Sequence, residues 1–208
     1  MKNSLRQMLE EKTTHSTFYS LQDYSEEEIV KISNSVYLER KHSLLFTDGS
    51  YSSSDYSAGY GIHLLTKDGA RFNFYGGEIE EPIDEEMPTF SQMYFEDIAL
   101  NNGLKECARL GLKGVIVFLD AKNTYKRFIR AMKLNKLIPL ELDHIGGRSE
   151  HEEYINKLTL LWAENRELYY QLSVQKVYLI RGHANIYGNI EADAMATKGR
   201  LQALQQAC

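Results

Sequence analysis

Proline is scarce in this chain, with three in 208 residues, so a disordered tail is not expected. Cysteine is scarcer still. Cys107 and Cys208 are the only two, too few for a disulfide framework or a zinc site, and a reducing, cytoplasmic setting is expected. Long apolar runs are lacking as well. The longest, residues 115–119, has five residues, against about 20 for a membrane-spanning helix, so no membrane role is expected. Lys2 and Arg6 are followed by Glu10 and Glu11 where a signal peptide needs its apolar core, so export by that route is not expected. Nor is there an excess of positive charge. The 24 Lys and Arg face 29 Asp and Glu, for a net charge of −5, which argues against a dedicated nucleic-acid coat but not against a local basic patch.

What the chain does have is core material. Apolar residues make up 43% of it, and its length fits one domain with an extension. Composition divides it into a polar, partly helical extension over residues 1–43 and a domain over 44–208. Ser25 and Glu28 stand at a capping-box spacing, so a short helix is expected to start there. Residues 44–47 read as a strand closed by Asp48-Gly49-Ser50. Residues 58–66 and 70–76, separated by Lys67-Asp68-Gly69, read as a hairpin, and the three strands form a meander.

An acidic loop over residues 78–86 follows. Thr89 and Gln92 are spaced to cap a helix reaching Gly111. Residues 115–119 are apolar at consecutive positions, the pattern of a strand covered on both faces. Tyr125, Phe128, Ile129 and Met132 mark a second helix over 123–135. Ser149 and Glu152 cap a third to Leu172, residues 177–180 are a fifth strand, and a last helix begins near Asn189 and is expected to stop at Gly199. The order βββαβααβα predicts an α/β fold: a five-stranded mixed sheet with helices on both faces. In such sheets functional residues gather beyond the carboxyl ends of parallel strands.

Asp48 and Asp120 each follow an apolar run, so adjacent parallel strands would set their carboxylates side by side. Glu96 lies among Met93, Tyr94, Phe95 and Ile98, where a carboxylate is expensive. Asp193 falls early in the last helix. Each acid has an ordinary alternative: a turn residue for Asp48, an N-cap for Asp120, a snorkelling side chain for Glu96, a dipole complement for Asp193. Together they are a candidate site for Mg2+ or Mn2+, which take hard oxygen ligands.

Thr47-Asp48-Gly49-Ser50, then Gly59-Tyr60-Gly61, resembles the opening of a type 1 ribonuclease H. Glu96 and Asp120 match that family's second and third acids. Gly182-His183-Ala184, Gly188-Asn189 and Ala192-Asp193 resemble its closing motif, so the likeness spans residues 44–199. It implies a ribonuclease H-like fold and an endonuclease that cuts the RNA strand of RNA–DNA hybrids. Asp48, Glu96, Asp120 and Asp193 would hold two Mg2+ or Mn2+ ions, and His183 would move protons or assist product release. Asn189 would hydrogen-bond near the scissile region. The family's pair of groove-reading amides before the helix glutamate is reduced here to Gln92, and Ala121 replaces the serine that commonly follows the third acid.

Phosphate contact needs a patch, and residues 105–136 carry nine Lys and Arg against Glu106 and Asp120. Lys126, Arg130 and Lys133 share one helix face and are the expected phosphate contacts, although a solvated face has the same look. Tyr125 and Trp162 are expected in the core rather than as stacking platforms. The chain is expected to act as a monomer. Two other readings stay open: a nuclease of this fold acting on other structured DNA or RNA, and a catalytically silent nucleic-acid-binding or interaction module.

Overall fold

The computed structural model describes residues 17–39, 41–79, 89–133, 150–182 and 185–207. Eleven elements follow in order: β1 (Phe18–Ser20), α1 (Glu26–Leu38), β2 (Ser43–Ser52), β3 (Ser57–Leu65), β4 (Arg71–Ile79), α2 (Thr89–Arg109), β5 (Val115–Leu119), α3 (Lys122–Lys133), α4 (Glu150–Gln171), β6 (Lys176–Leu179) and α5 (Tyr187–Ala207). The strands form one mixed sheet in the order β1-β6-β5-β2-β3-β4. It has six strands rather than the expected five. The additional one comes from the extension: Phe18–Ser20 adds in parallel to β6, with Phe18 opposite Val177. The sequence hid it because three residues are too few to show alternation.

Strand β5 is buried along its whole length. Val115, Val117 and Leu119 face a core built with α2, α3 and α4. Ile116 and Phe118 face a second core with Leu21, Ile29, Ile32, Ile186 and Ala192. Both faces of the sheet are therefore covered, as the unbroken apolar run required. Trp162 and Tyr125 belong to the first core, at 2% and 7% exposure. The capping box of α1 is formed: Glu28 N–H donates to Ser25 Oγ at 3.4 Å, and Ser25 N–H donates back to Glu28 Oε2 at 2.9 Å.

Three boundaries differ clearly from the expectation. Strand β4 continues past Gly76 to Ile79 and takes Glu78 of the expected acidic loop into the sheet, opposite Ala58. Residues 80–86 of that loop lie outside the described residues. Strand β2 does not stop at Asp48 but continues to Ser52, because it pairs with β3 along its full length, with Asp48 opposite Gly61. Its parallel ladder to β5 runs from Ser43 to Phe46. Helix α5 does not stop at Gly199 but runs on to Ala207. Gly199 is buried and lies flat against β4, where an added Cβ would stand 2.2 Å from the Gly76 carbonyl oxygen.

That contact is one of a series. Added Cβ atoms at Gly59 and Gly61 of β3 would stand 2.3 Å from the Ala196 carbonyl oxygen and 1.9 Å from that of Ala192. Apart from Asn189, the buried face of α5 is small: Gly188, Ala192, Ala196, Gly199 and Ala203. Helix and sheet thus meet backbone to backbone, with no room for a methyl group. Gly61→Ala should push α5 off the sheet and destabilise the protein by roughly 1–3 kcal/mol or more, read as a lower midpoint in urea unfolding.

Candidate active site

The register of the parallel ladder places the acids. Phe46 pairs with Phe118, and two residues further along each chain stand Asp48 and Asp120. The side chains at those positions project to the same face. Helix α2 crosses close to Gly49, where an added Cβ would lie 2.5 Å from the Glu96 backbone nitrogen. Gly49 N–H donates to Glu96 Oε2 at 3.1 Å. Carboxylate oxygens of Asp48, Glu96 and Asp120 consequently lie within 4.8 Å of one another. Asp193, carried by α5, lines the same cleft and its charge adds to the burial that raises the Asp48 carboxyl, so the fourth acid joins from the opposite side.

These groups line an open cleft of about 340 Å3, together with Ser50, Tyr51, Gln92, Ala121, Gly182 and Asn189. Asn189 Nδ2 donates to Asp120 Oδ2 at 3.2 Å. Its Oδ1 is buried with no hydrogen-bond partner, and so is the Tyr51 hydroxyl. Both are unused polar atoms at the wall of the cleft.

The electrostatics follow from crowding. Burial pushes the Asp48 carboxyl up from its ordinary 3.8 to about 8, helped by the neighbouring charges of Asp120 and Asp193. Burial also drives Glu96 well above its ordinary range, with Asp48 and Asp120 adding to the effect. Carboxylates so close cannot all stay ionised unless protons or cations are supplied. An oxygen-only donor set of this kind suits a hard divalent cation such as Mg2+ or Mn2+, so the residues present fit a metal site.

Not every expected residue is at the cleft. Gln92 is, and it is exposed. His183 lies outside the described residues. Lys126 and Arg130 are exposed on α3, with no ion-pair partner among the described residues; Lys133 closes the same helix. The rest of the basic segment is largely engaged elsewhere. Lys105 pairs with Glu164 at 2.9 Å and Arg109 with Glu106 at 2.7 Å, while Lys113 donates to the Gln171 carbonyl. Arg127 turns inward, its side chain 11% exposed, to pair with fully buried Asp97 at 2.8 Å. That pair is not legible along the chain, because Asp97 and Arg127 are 30 residues apart and each carries the charge common on a solvated helix. Tyr51 was also missed; its place beside the cleft depends on β2 running past Asp48.

The comparisons with known proteins agree with this geometry. The family model described as RNase H matches residues 40–200, and the chain belongs to the RNase H family. Its enzyme class is accordingly ribonuclease H. Among solved structures, the N-terminal RNase H domain of a Mycobacterium tuberculosis protein, fused to maltose-binding protein, superposes with a TM-score of 0.54 at 17% identity, covering 80% of this chain and 99% of that one. An RNase H1 isolated from compost by a metagenomic approach gives 0.53 at 15% identity, over 78% of this chain and 98% of that one. The foamy viral protease-reverse transcriptase, in complex with an RNA/DNA hybrid, gives 0.53 at 15% identity over 77% of this chain and 20% of that one. No curated protein matches the sequence.

Because Asp48 has a raised pKa, the folded metal-free protein binds its proton more tightly than the unfolded chain does. The stability contributed by that proton is complete below the ordinary value of 3.8 and is lost as pH rises through about 8. Urea unfolding in chelator should therefore show falling stability between about pH 4 and pH 8. Asp48→Asn should flatten that fall and be more stable than wild type at about pH 8. An Asp48→Asn curve parallel to wild type would count against the crowding.

Proposed function

We propose that this chain is a metal-dependent endonuclease that hydrolyses the RNA strand of RNA–DNA hybrids by a two-metal-ion mechanism. Asp48, Glu96, Asp120 and Asp193 hold two Mg2+ or Mn2+ ions, and residues 44–208 form the catalytic domain. The observation that carries this reading is the carboxylate group itself, with oxygens within 4.8 Å of one another at an open cleft. Paired divalent ions, when bound, polarise the phosphate and activate water.

The chain's own groups do the rest. Asn189 holds Asp120 through Nδ2 and so orients the groups near the scissile region, where a sugar 2′-hydroxyl distinguishes RNA from DNA. Gln92, exposed at the cleft wall, reads the minor groove. Lys126, Arg130 and Lys133 neutralise phosphates along α3. His183, four residues beyond the end of β6, carries a proton to or from the leaving group. The hybrid bound by the foamy viral relative supports this substrate class. The protein acts as a monomer in the cytoplasm.

Metal-dependent cleavage of matched RNA–DNA hybrid, duplex RNA and duplex DNA tests the reading, with hybrid expected to be cut first and only when Mg2+ or Mn2+ is present. Asp48→Asn or Asp120→Asn should abolish turnover with the fold intact. His183→Ala should slow it by roughly 10²- to 10⁴-fold, as for a proton-transfer group, without loss of metal affinity. Full turnover by Asp48→Asn would sink the mechanism, and preferential cutting of duplex RNA or DNA would reassign the substrate.

The α3 face has its own test. Replacing Lys126, Arg130 and Lys133 with Gln should reduce the magnitude of the slope of log K against log salt for hybrid binding by roughly 2.7, at about 0.9 per phosphate lost. An unchanged slope would make α3 an ordinary solvated face and move the grip on the substrate elsewhere.

A further inference from the structure

Asp97 follows Glu96 directly in α2, and it is completely buried. Its partners come from α3. Arg127 Nε lies 2.8 Å from Asp97 Oδ2, and a terminal guanidinium nitrogen of Arg127 donates to Oδ1 at 2.9 Å. The Thr124 hydroxyl donates to the same Oδ1 at 2.6 Å. Trp162 of α4, 2% exposed, stands against the carboxylate from a third side. The guanidinium thus contacts both carboxylate oxygens, hydrogen-bonding Oδ1 and meeting Oδ2 as an ion pair without a hydrogen bond.

The location is what gives this pair a role. Helix α3 begins at Lys122, two residues after Asp120, and α2 carries Glu96. Fixing α3 to α2 therefore fixes the spans of chain that hold two of the four acids. Tyr125 and Phe128 seat α3 in the first core, and the ion pair adds a directed polar contact between α3 and α2. Stability alone does not account for a buried ion pair, because well-packed apolar residues of similar volume often serve as well or better.

We propose that Asp97 and Arg127 are positioning residues for the carboxylate centre: their buried bridge locks α3 onto α2 and so sets the separation of Glu96 and Asp120 that a divalent ion requires. This rests on the proposed metal-dependent activity and deepens it. Neither residue touches substrate or ion. They act through the helices that carry the ligands, as outer-shell partners do in metal sites.

The test separates position from stability. Asp97→Leu and Arg127→Met alone each leave a buried charge without its partner and should unfold at lower urea. The double variant Asp97→Leu/Arg127→Met removes both charges and should return to near wild-type stability. Calorimetric titration of each full-length protein with Mn2+ then decides. The double variant should bind Mn2+ about 10- to 100-fold more weakly than wild type, with kcat on hybrid lowered and KM little changed. Wild-type Mn2+ affinity in a stable double variant would overturn the proposal and leave the pair merely structural.

If the double variant does not fold, Arg127→Lys answers the same question, since Lys keeps the charge but lacks the planar guanidinium that contacts both oxygens. Weakened Mn2+ binding in a folded Arg127→Lys protein supports positioning, and unchanged binding overturns it. Failure of the functional reading looks different: wild-type protein that binds no Mn2+ would sink the metal centre and this proposal together, whereas normal wild-type binding with an indifferent double variant sinks only the clamp.

Discussion

Carboxylate oxygens of Asp48, Glu96 and Asp120 are held within 4.8 Å of one another, and the surrounding structure exists to keep them there against their mutual repulsion. Burial and crowding raise Asp48 and Glu96, so in the absence of a cation the cluster must take up protons. No single element could enforce this. Asp48 is fixed in a strand paired continuously with β3. Asp120 follows a strand buried on both faces. Glu96 is pressed in because α2 lies against Gly49 without room for a Cβ. Relief of the repulsion would require breaking a ladder or lifting a helix, and metal binding offers a cheaper route.

Helix α5 brings the fourth acid by a different device. Apart from Asn189, its buried face is Gly and Ala, which contributes little apolar area, yet it approaches the sheet so closely that glycines at 59, 61 and 77 leave no space between the backbones. Such contact is sensitive to position and intolerant of added volume. Asp193 and Asn189 inherit that rigidity: one meets Asp48 and the other Asp120. Two faces of the sheet therefore deliver acids to one cleft, α2 from one side and α5 from the other.

Residues 17–39 precede the stretch that matches the RNase H family, yet they are integrated into the same body. The Leu21 N–H donates to the Leu179 carbonyl at 2.8 Å, extending the pairing of β1 with β6. Phe18 packs against Phe128 and Tyr169, with ring centroids 5.6 and 6.2 Å away. On the other face Leu21, Ile29 and Ile32 complete the second core. Arg181 Nε donates to the Gln22 carbonyl at 2.8 Å, and Asn185 donates to Glu26, so the added segment holds the chain on either side of residues 183–184. A strand of three residues has too little length to show a period. Only the partner edge of β6 makes it a strand.

The sequence by itself determined every described element but β1 and singled out four acids that line one cleft. The Ser25–Glu28 cap, the Asp-Gly turn before β4 and the apolar run of β5 are local features, and local backbone and burial preferences fix them. The family likeness of Asp48, Glu96, Asp120, Asn189 and Asp193 was likewise legible, because those residues stand at element positions that the local pattern already defined. Tertiary structure alone decided where α5 ends, since Gly199 reads as a stop until β4 is seen lying against it. It alone also decided which cations face water. Lys126, Arg127 and Arg130 look alike along the chain, but Asp97 lies beneath one of them. The physical reason is range: capping, turns and periodicity act over a few residues, whereas a buried charge is tolerated only where a distant partner meets it in three dimensions.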